Sequence, residues 1–434
     1  MKLEIVKAGI NGEGIAFFKR KPVFIEGCFP DEVVDADLID EGRHYKGRLK
    51  AILKKSPDRI RPVCSYADKC GACALMGLKY DGQLAIKMQL LENALYKYAE
   101  YEGKIEGIVK SDDVYGYRNK CNLPIIDYNG KLVNALYKQG SNHPCLITTC
   151  FIHEESVEEI RRKILDVLNR YKLQAYDRRE KKGMRQLIVR AFDKGAQAVL
   201  VTGNDTLKEN VIADLKKIKG LKSLFQGINT VRDPIRMMPE KLRPLFGKEK
   251  IEVKSLNYEL ELSPQAFFQL NHKQAEQIYK DAAALIKEKQ KLIIEGYCGI
   301  GTISLAMHDK AEKIIGIEII EKAIKDAKDN AKKNKVENVE FRCGDAAKEI
   351  RKIVEKEKAD VIVVDPPRTG LDDELLKTLL KSKAKQIIYI SCNPSTLGKD
   401  LYILKKEYEI HLVRGYDMFP NTPLVETLVE LVRR

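Results

Sequence analysis

The chain has 434 residues, and at about 150 residues per domain this suggests two to four domains. Lysine plus arginine number 77 against 63 aspartate plus glutamate, a net charge of +14, which favours an anionic partner such as nucleic acid or a membrane surface over a neutral metabolite. A 44% hydrophobic content is enough to bury a core and excludes wholesale disorder. No apolar run approaches the ~18 residues of a membrane span, and the opening MKLEIVKAGINGEG has no apolar signal-peptide centre. A cytoplasmic monomer is expected, with no membrane partner.

Residues 1–55 alternate short apolar runs with glycine, proline and acidic turns. That pattern predicts a small, OB-like β-barrel of five or so strands. SPDRIRPVC marks a junction. LKYDGQLAIKMQLLENALYKYAEYEG then has apolar residues at helical spacing.

A middle section, 56–255, reads as α+β. YGYRNKCNLPIID and KLVNALYKQG look like strands paired around the turn Asn129-Gly130. SVEEIRRKILDVLNRYKL reads as a helix with Ser156 as its cap, and MRQLIVRAFDKGAQAVLVTGN as strand-turn-strand.

From 256 to 434 strands alternate with helices: KLIIEGYC, KIIGIEII, NVEFRCG, DVIVVDPP, QIIYISCN and a final pair near HLVRGYDMF and VETLVELVR. This predicts an α/β fold with a mainly parallel, doubly wound sheet. Ligands of such sheets sit beyond the carboxyl ends of the strands.

The first of these strands ends in GYCGIGTIS, where Gly299 and Gly301 allow a tight turn and close ligand approach. The spacing GxxGxG is not the dinucleotide fingerprint. With Glu318 ending the next strand, where it can accept both ribose hydroxyls, the pattern fits S-adenosylmethionine better than NAD. Asp345 follows the third strand, where an acid can meet an adenine amino group.

Two further strand ends carry chemistry. DVIVVD runs into Asp365-Pro366-Pro367-Arg368, whose prolines stiffen the turn. QIIYIS delivers Cys392 before Asn393-Pro394, a candidate nucleophile on the same sheet edge. Glu426, after the proline-rich FPNTPLV, is a candidate general base.

Of ten cysteines, Cys64, Cys70 and Cys73 fall within CSYADKCGAC, spaced C-x5-C-x2-C. Three sulfurs on one glycine-bearing loop can wrap one face of a metal centre. An iron–sulfur cluster then needs a distant fourth thiolate, Cys145 or Cys150; a Cys₄ zinc site is the physical alternative.

FFQLN (267–271), GYCGIGT (296–302), GIE (316–318), DPPR (365–368), SCNP (391–394) and MFPNTPLVET (418–427) together resemble the RNA uracil-5 methyltransferase family. The N-terminal barrel resembles the TRAM RNA-binding module, and the cysteine loop resembles that of the bacterial 23S rRNA branch. The resemblance implies a Rossmann-like methyltransferase domain that makes 5-methyluridine in RNA, with S-adenosylmethionine and a 4Fe-4S cluster as cofactors. It implies Cys392 as nucleophile and Glu426 as base. Gln269 and Asp365 are implied at the base and cofactor, and Tyr297, Glu318 and Asp345 as holding S-adenosylmethionine. Cys150 is implied as the fourth cluster ligand beside Cys64, Cys70 and Cys73.

There are departures. Leu424 stands where the family usually has histidine, Phe151 follows Cys150 where proline is usual, and Thr302 replaces an asparagine of some relatives. The expected substrate is 23S rRNA, because the family's tRNA enzymes usually lack the barrel. The rivals are a tRNA T-loop uridine and a non-catalytic RNA-binding role. FKRK (18–21), RREKKGMR (178–185) and KKIKGLK (216–222), with Tyr115, Tyr117, Tyr128 and Tyr137 beside Arg118 and Lys120, suit phosphate contact and base stacking.

Overall fold

The computed structural model describes residues 1–138, 141, 143–231 and 238–434. They form two compact units, one of Met1–Val114 with Asp360–Arg434 and one of Tyr115–Ala359.

The first unit begins with β1 (Lys2–Glu4), β2 (Lys7–Ala8), β3 (Gly14–Phe18), β4 (Lys21–Ile25), β5 (Val33–Asp40) and β6 (Tyr45–Lys54), in the order β1-β5-β6-β4-β3-β2. Val6, just past β1, donates its backbone N–H to Ile15 of β3 at 2.9 Å. The bond extends the β2–β3 pairing, and because β1 and β2, the two ends of the sheet, are one continuous stretch of chain, the strands wrap into a barrel. Leu3, Ile5, Ala16, Val23, Ile25 and Val34 fill it, one from each inward position of the period-two pattern. The cysteine-bearing turns follow, then α1 (Tyr80–Ala99) and the short β7 (Ile108–Val109).

The second unit opens with β8 (Lys120–Tyr128) and β9 (Lys131–Tyr137), then β10 (Pro144–Leu146) and α2 (Glu155–Arg170). Tyr128 faces Lys131. The turn between them is Asn129-Gly130, with φ of 52° and 75°, as a two-residue hairpin requires. Gln139 and Gly140, at the end of the second predicted strand, lie outside the described residues. The helix predicted there is present, but Ser156 does not cap it. Glu154 occupies the cap position, without a side-chain capping bond, because the chain turns helical one residue before the serine.

Next come β11 (Met184–Phe192), β12 (Gly195–Thr202), α3 (Glu209–Lys216), β13 (Leu221–Ile228), β14 (Leu242–Gly247), and a hairpin of β15 (Ile251–Ser255) and β16 (Tyr258–Leu262). The unit closes with α4 (His272–Ala284), β17 (Gln290–Gly296), α5 (Thr302–Ala306), β18 (Ala311–Glu318), α6 (Glu321–Lys333), β19 (Val339–Cys343) and α7 (Ala346–Val354). β17, β18 and β19 pair in parallel, with helices between them.

The remainder of the first unit is β20 (Val361–Val364), α8 (Asp373–Lys381), β21 (Gln386–Ser391), α9 (Pro394–Leu404), β22 (Tyr408–Tyr416) and β23 (Glu426–Arg433). β20 and β21 are parallel, β23 runs antiparallel to both β21 and β22, and β22 pairs in parallel with β7. Every residue of VIVV in β20 is buried, as expected of a strand covered on both faces. α1 packs closely on α9 at Gly398. A Cβ there would come within 2.9 Å of the Tyr98 Cβ and 3.0 Å of the Ala94 carbonyl, so only glycine permits this approach. The α/β class and its mixed sheets agree with the expectation from sequence.

Candidate active site

In the first unit, Asp365 and Arg368 follow β20, Cys392 follows β21 and Glu426 opens β23. The pairing of β21 with β23 ends at Ser391 opposite Thr427. Cys392 and Glu426 are therefore the next facing positions. DPPR, SCNP and the late Val-Glu thus converge at one edge, although up to 61 positions separate them in the chain.

Asn393 caps α9, accepting from the Ser395 N–H at 3.1 Å, and its amide donates to the Arg368 carbonyl at 2.9 Å. One asparagine thus ties the cysteine turn to the DPPR turn. Asp400, from the next turn of α9, accepts from the Leu371 N–H at 2.9 Å and the Tyr389 hydroxyl at 2.7 Å, which fixes the far end of the DPPR loop.

The electrostatics follow from this crowding. Burial, and then the Glu426 and Asp365 charges, push the Cys392 thiol up to about 11, while the Arg368 guanidinium, charged and hydrogen-bonded to it, opposes the shift. Glu426 is 4% exposed, and burial followed by the Asp365 charge holds it well above the usual carboxylate range. Asp365 retains some exposed surface, but its carboxyl lies deep enough that burial pushes it up to about 7. Two carboxyls that cannot both ionise freely beside a thiol form a proton-handling group.

A cavity of about 1080 Å³ opens onto Cys392, Arg368 and the segment Pro423–Val425. Its far walls come from the barrel, at Lys7 and Asn11, and from α1, at Asn93 and Tyr96. The volume exceeds what one nucleobase fills. Reading the sequence did not single out Arg368 as acting on the thiol, nor the α1 wall. The run Tyr96-Lys97-Tyr98 has the same aromatic and basic interleaving noted in the middle section, so that signal was present. In the middle section itself, Tyr115, Tyr128 and Tyr137 are exposed, but Tyr117 is 3% exposed. A ring so covered cannot stack on a base, and Tyr117 is a core residue.

The predicted nucleotide residues lie in the second unit. Gly299 and Gly301 both have positive φ, 54° and 84°. A Cβ at Gly301 would strike the Phe341 ring at 2.6 Å, whereas one at Gly299 would meet nothing within 4 Å. The loop is thus packed on one side and open on the other. Glu318 accepts from the Gly299 N–H at 3.2 Å and the Ile320 N–H at 3.0 Å, which orients its carboxylate and leaves lone pairs for ribose hydroxyls. Asp345 caps α7, accepting from Lys348 at 3.1 Å. Tyr297 has φ of 66°, rare for a bulky residue and typical of functional turns. Gln269 sits in the turn before α4, where its carbonyl accepts from the Asn119 amide at 2.8 Å. An open glycine loop and an oriented carboxylate fit an adenosyl cofactor.

Cys64, Cys70, Cys73 and Cys150 are all half-buried and in no disulfide. Among the described residues no group of three or more His, Cys, Asp or Glu side chains stands in a metal-holding arrangement. Among the described residues no helix is long and apolar enough to cross a membrane.

Residues 79–434 match the family of tRNA (uracil-5-)-methyltransferases. A Bacillus cereus protein described as an uncharacterized RNA methyltransferase is 37% identical over 442 residues, covering 99% of this chain and 96% of its own. A Streptococcus agalactiae protein with a similar description is 34% identical over 443 residues, covering 100% and 98%. Among solved structures, the Pyrococcus abyssi tRNA (uracil-54, C5)-methyltransferase in complex with S-adenosyl-L-homocysteine covers all of both chains, with a TM-score of 0.80 and 24% identity, and shares the fold. The chain therefore belongs to the RNA uracil-5 methyltransferase family, and its activity is S-adenosylmethionine-dependent methyl transfer to RNA.

Proposed function

We propose that the protein methylates carbon 5 of a uridine in 23S rRNA through a covalent adduct on Cys392. The observation that carries this reading is the facing placement of Cys392 and Glu426 beyond the Ser391–Thr427 pair, beside Arg368 and at the wall of the cavity.

Carbon 5 of uracil is a weak nucleophile. Addition of the Cys392 thiolate to carbon 6 turns the ring into an enolate whose carbon 5 can attack an electrophile. Bound S-adenosylmethionine supplies the methyl group. Glu426 then takes the carbon-5 proton, and the electron pair released re-forms the 5,6 double bond and expels the Cys392 thiolate. A carboxylate whose proton affinity is raised is a stronger base for this step. Arg368 stabilises the thiolate as it enters and leaves, and Asp365 faces the uracil ring. Gln269, Tyr297, Glu318 and Asp345 hold the cofactor. A uridine must leave its stack to reach a half-buried thiol, and the excess of cations supplies salt-sensitive affinity for the backbone.

Three functional domains, 1–55, 56–255 and 256–434, belong to this reading, as does a monomer. So does a 4Fe-4S cluster on Cys64, Cys70, Cys73 and Cys150, a structural or RNA-positioning element supported by spacing and resemblance. A tRNA uridine is the second reading. The Pyrococcus enzyme, described as acting on tRNA, matches over the whole chain, barrel included, so the barrel does not discriminate between the two substrates.

The test is transfer of radiolabelled methyl from S-adenosylmethionine to 23S rRNA and to tRNA. Labelled 5-methyluridine in rRNA is expected, with none from Cys392→Ala. Full labelling by Cys392→Ala overturns the nucleophile, and labelling of tRNA alone overturns the substrate.

A further inference from the structure

Glu426 lies at the end of a connection, residues 417–425, that is held by buried polar groups rather than by regular structure. Lys87 of α1 forms an ion pair with Asp417 in which both side chains are 0% exposed. Its ammonium also donates to the Phe419 carbonyl at 3.0 Å. One helical turn earlier, Gln83 and Asn421 bond reciprocally. The Asn421 N–H donates to Gln83 Oε1 at 2.8 Å, and Gln83 Nε2 donates to Asn421 Oδ1 at 3.2 Å. The Asn421 amide donates onward to the Val114 carbonyl at 2.8 Å, and its own carbonyl accepts from the Leu75 N–H at 2.9 Å. Asn421 has φ of 68°, a left-handed kink that asparagine tolerates.

The spacing of Gln83 and Lys87 puts both on one face of α1. Burying an ion pair and two amides is costly, and the bonds these groups make fix the geometry of the connection. The connection they hold forms the cavity wall at Pro423–Val425 on one side and enters β23 at Glu426 on the other. Cys392 follows β21 and the turn that the Asn393 cap of α9 fixes.

We infer that Gln83 and Lys87 are positioning residues for Glu426, acting on the proton-abstraction step and not on thiol addition. This rests on Glu426 being the base. Proton transfer demands hydrogen-bond reach of about 2.6–3.2 Å, and a misplacement of about 1 Å costs on the order of 100-fold. A loosened clamp therefore stalls the reaction after methyl transfer, with the protein still bonded to carbon 6.

The experiment compares Gln83→Met, Asn421→Gly and Glu426→Gln with the parent enzyme on uridine-containing RNA. It scores product release and the covalent protein–RNA band on a denaturing gel. Asn421→Gly keeps the kink and guards against Gln83→Met failing to fold. The expected result is at least a tenfold loss of product release with a stronger covalent band in either clamp variant, as in Glu426→Gln. Unchanged release, or a band and product that fall together in folded protein, overturns the clamp. Absence of a band from Glu426→Gln, while the parent turns over, overturns the base assignment instead.

Discussion

Cys392 and Glu426 each stand one position past Ser391 and Thr427, the last facing pair of two adjacent antiparallel strands. The pairing brings the proposed nucleophile and the proposed base to one edge from two motifs distant in the chain. Burial raises the proton affinity of both groups, and the Glu426 charge raises that of the thiol further. The free protein therefore holds the Cys392 thiol protonated.

Thiol reactivity reads this out. With Cys392 pushed up to about 11, its thiolate fraction rises about tenfold per pH unit between pH 6 and 9, and iodoacetamide labelling of Cys392 is expected to follow. Glu426→Gln removes a negative neighbour and moves the labelling profile to lower pH. Arg368→Met removes the opposing cation and moves it higher. A labelling rate already level below pH 8 contradicts the assignment of the thiol's environment.

Glu318 tests the cofactor loop. Glu318→Ala removes the acceptor that the Gly299 and Ile320 amides orient, together with the ribose contacts proposed for it. Affinity for S-adenosylmethionine, measured by calorimetry, is expected to fall by about 1.5–3 kcal/mol, the worth of hydrogen bonds to a charged group. Rates of Cys392 alkylation should be unaltered. Tight binding by Glu318→Ala argues that the adenosyl group lies elsewhere.

Metal content distinguishes the two centres that the cysteine spacing allows. Anaerobic purification is expected to give a brown protein with about four irons per chain, and Cys70→Ser to lose the colour. One zinc in a colourless protein selects the tetrahedral Cys₄ site instead.

Most of the strands were legible in the sequence because each is a short apolar run bounded by turn residues, and the Asn129-Gly130 hairpin because only one turn type suits that pair. Ser156 was misread because a capping residue is chosen by where the backbone turns helical, which α2 settles through the packing of Val157, Ile160 and Ile164. Tyr117 looked like its exposed neighbours because aromatic residues have the same sequence signal in a core and on a surface.

The sequence by itself determined the chemical groups: a glycine loop with an acid after the next strand, DPPR, a cysteine at a strand end and a late glutamate. Each is local, so spacing and residue type suffice to find it. Only the tertiary structure decided that Cys392 and Glu426 meet at one sheet edge, that Arg368 bears on the thiol, and that Gln83 and Lys87, more than 300 positions from Asn421 and Asp417, hold the connection to Glu426. Those relationships are set by strand register and by buried polar pairs between distant segments, and no local pattern in the chain encodes them.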